Sequence, residues 1–188
     1  MSSSSRTRER PDGLRRTHRL LIAAALVAAL WGVRSGLPLG VGLHFLGAAG
    51  LYLLFGAPRA LLGLALAALL AALLGGTPLA ALPWAWLANG AVPVAVVWSV
   101  HRAVTRFAPP NPFCYVFCVA FAGAGLSMIA SLALYGAAGT GIEPFVALGL
   151  MLGFGEAFLT GMLVTILVVY RRDWVVTFDD ARWLAPRA

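Results

Sequence analysis

Phe145–Tyr170 reads FVALGLMLGFGEAFLTGMLVTILVVY, an apolar run with a single charged residue, Glu156, near its centre. Crossing the hydrocarbon of a bilayer takes about 20 predominantly apolar residues of helix, with a range of about 17–25. The run is long enough, and a helix apolar on every face belongs in lipid or in a large core rather than on a water-soluble surface. Five runs of the same kind precede it: Leu20–Val33, Leu37–Phe55, Ala60–Leu74, Leu82–Val100 and Phe113–Tyr135. The first and third are short and need their flanks to complete a span. Arg19 and Arg34 bound the first run, where long basic side chains snorkel to the headgroups.

The breaks between runs carry turn chemistry. Gly56-Ala57-Pro58-Arg59 reads as a tight hairpin turn, as does Gly75-Gly76-Thr77-Pro78. Ala108-Pro109-Pro110-Asn111-Pro112 cannot continue a helix. Gly139-Thr140-Gly141 separates the last two runs, and Pro144 suits the first turn of the final helix, where its missing N–H costs nothing. Of 188 residues, 61% are hydrophobic and 11% charged. A soluble domain carries about 25% charged residues, so this chain has too little polar surface to cover itself in water. The expected fold is all-α: one polytopic membrane domain of about six transmembrane helices.

All fourteen basic residues are Arg, and the formal net charge is +7. They sit in the N-terminal tail and at the ends of apolar runs, which is the pattern of membrane orientation rather than of a face for nucleic acid. With the tail inside, Arg59, Arg102, Arg106, Arg171 and Arg172 also fall inside, and only Arg34 falls outside, alongside Glu143. The expected topology is therefore N-in and C-in. Residues 1–18 read as a disordered basic cytoplasmic tail, 19–172 as the transmembrane helical domain and 173–188 as a cytoplasmic C-terminal segment. The first apolar run lacks a small-x-small cleavage site, so it reads as an uncleaved helix rather than a signal peptide. Trp174, Phe178 and Trp183 are expected at the membrane interface or against a partner.

Function in such a chain is sought among the few polar residues inside the runs, because burying an ionisable group in lipid is costly unless it is paired or wetted. These are His44, Asn89 and Glu156, with the hydroxyls of Ser127 and Ser131. From the expected topology and a rise of ~1.5 Å per residue, His44 and Asn89 lie roughly 10 Å in from the outer face and Glu156 roughly 16 Å in. Imidazole, amide and carboxylate converging there make a substrate-binding cavity for a cation or small polar solute, with His44 as the candidate metal ligand. Cys114 and Cys118 lie one turn apart in the cytoplasmic half and read as small apolar packers. His18 and His101 read as solvated residues at helix ends. Small residues Gly123, Ser127 and Ser131 recur every four positions, a stripe that lets helices approach closely in lipid. No phosphate-binding glycine loop, HExxH or nucleophile elbow is present, and the chain reads as a non-enzyme.

Four segments, in order, carry a family resemblance. Gly42-Leu43-His44-Phe45-Leu46-Gly47-Ala48-Ala49 resembles the SGHLLGAAL segment of the CbiM-like permeases of energy-coupling-factor (ECF) transporters. Phe55-Gly56-Ala57-Pro58 resembles their LLGPWAA turn, Leu87–Val92 (LANGAV) their NMAVVGP region, and Gly153–Thr160 (GFGEAFLT) their GIGEGLIT ending. The resemblance implies a membrane-embedded substrate-capture subunit working with a transmembrane coupling protein and two cytoplasmic ATPases, in a bacterial inner membrane. It implies cobalt or nickel as the transported substrate. In the metal-carrying members the ion is held by an N-terminal Met-His segment and by the His of SGHLLG. His44 matches the second. The first has no counterpart, since this chain starts Met1-Ser2-Ser3. The alternative from a different class is a non-transporting accessory subunit of a larger membrane complex.

Overall fold

The computed structural model of the protein describes residues 5–32, 47–74, 78–139 and 143–184. Among them it is helical, without strands. Helix α1 spans Ser5–Gly32, α2 Ala48–Phe55 and α3 Ala57–Leu73. The longer α4 runs over Leu79–Phe107 and α5 over Pro112–Ala138. Helix α6 covers Glu143–Tyr170, and a last turn, α7, covers Asp180–Trp183. Three stretches among the described residues are long and apolar enough to cross a membrane: Leu79–Phe107, Pro112–Ala138 and Ala147–Tyr170. Ala57–Leu73 is apolar but shorter.

Helix α1 starts at Ser5, inside the segment expected to be a disordered tail. Extending an existing helix fixes one residue per hydrogen bond, whereas nucleation is costly, and Arg is a good helix former. The apolar half of α1 thus carries the basic half with it, and the side chains of Leu14–His18 stay exposed.

The corners follow the local sequence. Gly47 precedes α2 with φ 62° and Gly56 joins α2 to α3 with φ 78°, both in the left-handed region that glycine alone enters without penalty. Asn111 begins α5 by accepting the Phe113 N–H on its side chain at 2.9 Å, ahead of Pro112 in the first turn. Within α4, Leu87–Ala91 winds as a π-helix, and the Val92 N–H reaches back five residues to the Leu87 carbonyl. Pro93 follows directly. Having no N–H, it cannot bond the Asn89 carbonyl four residues back, and its ring crowds that carbonyl, so the helix widens just before it.

Helices α5 and α6 pack through backbone. A Cβ on Gly153 would lie 3.0 Å from the Gly125 carbonyl oxygen, and one on Gly125 would lie 3.2 Å from that of Gly153. The stripe read from the sequence faces elsewhere: Gly123 lies against Val97 and Val100 of α4. Ser127 bonds the Ala124 carbonyl of its own helix, and Ser131 reaches Asn89 of α4.

The segment after α6 folds back onto the bundle. Thr177 bonds the Leu53 carbonyl through its hydroxyl (2.8 Å) and its N–H (3.3 Å), and the Val176 N–H donates to the Leu54 carbonyl at 3.4 Å. These are carbonyls of the last turn of α2, which no residue of that helix can satisfy. The Arg182 guanidinium donates likewise to the Thr105 and Ala108 carbonyls at the end of α4. Val175, Phe178 and Trp183 are buried in the same core as the helices. This corrects the expectation that Phe178 and Trp183 serve the interface or a partner: their apolar surface is buried within the chain.

Candidate substrate site

Glu156 lies midway along α6 and is 2% exposed. Its carboxylate accepts the Gly47 N–H at 2.9 Å. A buried carboxylate is tolerated when hydrogen bonds replace its water. Here the donor is the residue that opens α2, where unpaired N–H groups and the helix dipole favour negative charge. The φ of +62° at Gly47 turns the chain into α2, and Val27 of α1 packs so close that a Cβ there would come within 2.9 Å of its Cγ2. Glu156 is thus held at the point where α1, α2 and α6 meet. Thr160, one turn further along α6, is buried as well. His44, three residues before Gly47, lies outside the described residues.

Asn89 belongs to a second cluster. It sits in the π-helical turn of α4, and its Nδ2 donates to the Tyr135 hydroxyl at 3.0 Å. Its Oδ1 takes a longer, 3.4 Å bond from Ser131. All three groups point between α4 and α5, and the hydrogen bonds of Asn89 and of Glu156 run to different residues. The structure therefore joins Glu156 to Gly47, and Asn89 to Tyr135 and Ser131.

A third polar cluster was not legible in the sequence. The Tyr52 hydroxyl and His101 Nδ1 are 2.9 Å apart, linking α2 to α4. Tyr115 stands edge-on to His101 with ring centroids 5.9 Å apart, and its hydroxyl lies 2.6 Å from Thr177 Oγ1. His101 is thereby half-buried between two tyrosines instead of solvated at a helix end, whereas His18 is exposed. The available signal was the tyrosines themselves, because a buried phenol requires a partner for its hydroxyl. Beside this cluster a cavity of about 580 Å³ is lined by Arg102, Arg106 and Arg182 together with Tyr52 and His101.

Cys114 is half-buried against the core and Cys118 is exposed; neither is in a disulfide. Among the described residues, no three His, Cys, Asp or Glu side chains are grouped as a metal cage.

A family model described as CbiM, cobalt uptake substrate-specific transmembrane region, matches residues 2–174. The chain belongs to the CbiM family. The match covers α1 through α6, with all three polar clusters except Thr177. Family membership together with the long apolar helices makes this a membrane protein of the transport class, from a family described by cobalt uptake. No curated protein and no solved structure matches the chain.

Proposed function

We propose that this CbiM-family chain is the membrane-embedded capture subunit of an ECF-type transporter and takes a divalent metal cation, cobalt or nickel, from the outer side of a bacterial inner membrane. The observation that carries this reading is the buried Glu156 carboxylate, bonded to Gly47 in the very segment that bears His44. A carboxylate such as that of Glu156 and an imidazole such as that of His44 are donor types suited to first-row divalent ions. The Gly47 N–H engages one carboxylate oxygen, Oε1. Asn89 takes part through Oδ1, which accepts only the long bond from Ser131 and keeps a lone pair for a solute or its water.

Orientation in this reading is six spans with both termini inside. Supporting it, Arg19 lies over the Trp174 ring, 4.2 Å from its centroid, so the basic start of α1 and the segment after α6 share one face of the bundle. Arg16, Arg59 and Asp173 line the same groove. An arginine-rich face belongs on the cytoplasmic side, where the coupling protein and ATPases of such a transporter work.

The test is uptake of labelled cobalt or nickel by cells carrying the chain with its neighbouring transporter genes. His44→Ala and Glu156→Gln are each expected to abolish uptake at unchanged membrane abundance. Uptake unchanged in the double variant overturns the site.

A further inference from the structure

Between α1, α2 and α6 runs a groove of about 460 Å³. Its walls are apolar. Ile22 and Leu26 of α1 and Leu159 and Leu163 of α6 are between 45% and 63% exposed, so they present bare hydrocarbon along the helix axes. One end is different. There Arg16, Arg19 and Arg59 come together with a single acid, Asp173. Arg19 is already held flat over Trp174. The Trp174 indole N–H is buried and, among the described residues, has no hydrogen-bond partner, a donor lacking an acceptor in the wall of the groove. An apolar trough that follows the membrane-spanning helices and ends in an excess of guanidinium has the polarity of one molecule the membrane itself supplies: a chain of hydrocarbon under an anionic head.

We infer that this groove is a specific site for an anionic phospholipid, with its phosphate among Arg16, Arg19 and Arg59 and an acyl chain along Ile22, Leu26, Leu159 and Leu163. Guanidinium forks match phosphate oxygens in pairs, and basic pockets between transmembrane helices on the cytoplasmic side are suited to acidic headgroups. The far end of the groove reaches Gly47 and Thr160, so the lipid's tail lies beside the backbone that holds Glu156.

The full chain, reconstituted in phosphatidylcholine bilayers containing a minor fraction of phosphatidylglycerol and released into mild detergent, is examined by native mass spectrometry for retained lipid. The wild type is expected to keep one phosphatidylglycerol in preference to phosphatidylcholine. An arginine near the surface contributes roughly fivefold to affinity for acidic lipid, so the triple variant Arg16→Gln, Arg19→Gln, Arg59→Gln loses on the order of a hundredfold of that preference. Arg102→Gln with Arg106→Gln, which removes two positive charges outside the groove, keeps it. Leu163→Trp, which fills the trough and leaves every arginine in place, loses the lipid and keeps the proposal testable should the triple variant fail to fold. Equal retention of both lipids by the wild type overturns the inference. So does equal loss in the two arginine sets, displacement of the lipid by inorganic phosphate alone, or a protein rather than a lipid crosslinked to a photoreactive residue at Leu163.

Discussion

The Gly47 N–H and the Glu156 carboxylate are 2.9 Å apart and separated by 109 positions of sequence. This single contact ties the opening of α2 to the centre of α6, and it separates two roles for Glu156, one in holding the fold and one in holding the cargo. Glutamine keeps an acceptor for the Gly47 N–H but no charge; alanine keeps neither. Glu156→Ala is expected to cost about 1.5–3 kcal/mol, the range for a hydrogen bond to a charged group, and Glu156→Gln much less. Thermal unfolding in detergent checks the stabilities and metal uptake checks the function. Both variants are expected to lose transport, and only alanine to lose stability.

Gly47 itself answers to two constraints, a left-handed backbone and the neighbouring Val27 side chain. Gly47→Ala is expected to cost about 1–2 kcal/mol from the backbone alone, with a further penalty from the 2.9 Å approach to Val27 Cγ2. Adding Val27→Ala relieves only the second part. A double-variant cycle read by unfolding separates the two, and a fully additive pair would show that the methyl does not meet Val27.

Where α5 and α6 touch at Gly125 and Gly153, backbone faces backbone, and the nearest atom to a new Cβ at either position is the other glycine's carbonyl oxygen, which cannot rotate away as a flexible side chain could. Gly153→Leu is expected to separate the helices and cost about 1–3 kcal/mol or more. Gly139→Leu, at a position with open space around it, is expected to be near neutral. Melting temperatures of the two variants in one detergent make the comparison.

The folded-back C-terminal segment predicts coupling across 62 positions between Tyr115 and Thr177. Tyr115→Phe and Thr177→Val are each expected to destabilise by about 0.5–1.5 kcal/mol. Together they should cost less than the sum, since either one removes the shared bond. Limited proteolysis after Tyr170 provides a second measure: the double variant is cut faster than the parent, while cutting at equal rates would mean the segment is not held by this contact.

The helical fold was legible because the apolar runs are long and their breaks carry glycine and proline: α3 starts at the Gly56–Pro58 corner and α5 at Asn111-Pro112, as the turn chemistry requires. Glu156 was legible for an equally simple reason, being the one charge in an apolar run of helix length. Its partner was not. A backbone N–H leaves no mark in a sequence, and the left-handed turn that aims it shows only as one more glycine in a glycine-rich chain. Asn89 could be singled out as an intramembrane amide, yet its company of Tyr135 and Ser131 depends on how α4 and α5 are rotated, which the widened turn before Pro93 helps to set. The misreading of Phe178 and Trp183 has a related origin. Aromatics after a final span look alike whether they anchor at headgroups or turn back, and the choice is made by open carbonyls at the ends of α2 and α4, over seventy residues away from Arg182 in the case of α4.

The stacking of Arg19 on Trp174 has a mechanical consequence. It joins the first helix to the segment that follows the last, so the described elements close into a ring of contacts instead of an open row. Force applied at either terminus meets that junction before it reaches any helix pair in the interior. Pulled from its ends, the molecule should unzip from the seam between its beginning and its end, and the α5–α6 pair, where backbone meets backbone at Gly125 and Gly153, should be the last to part.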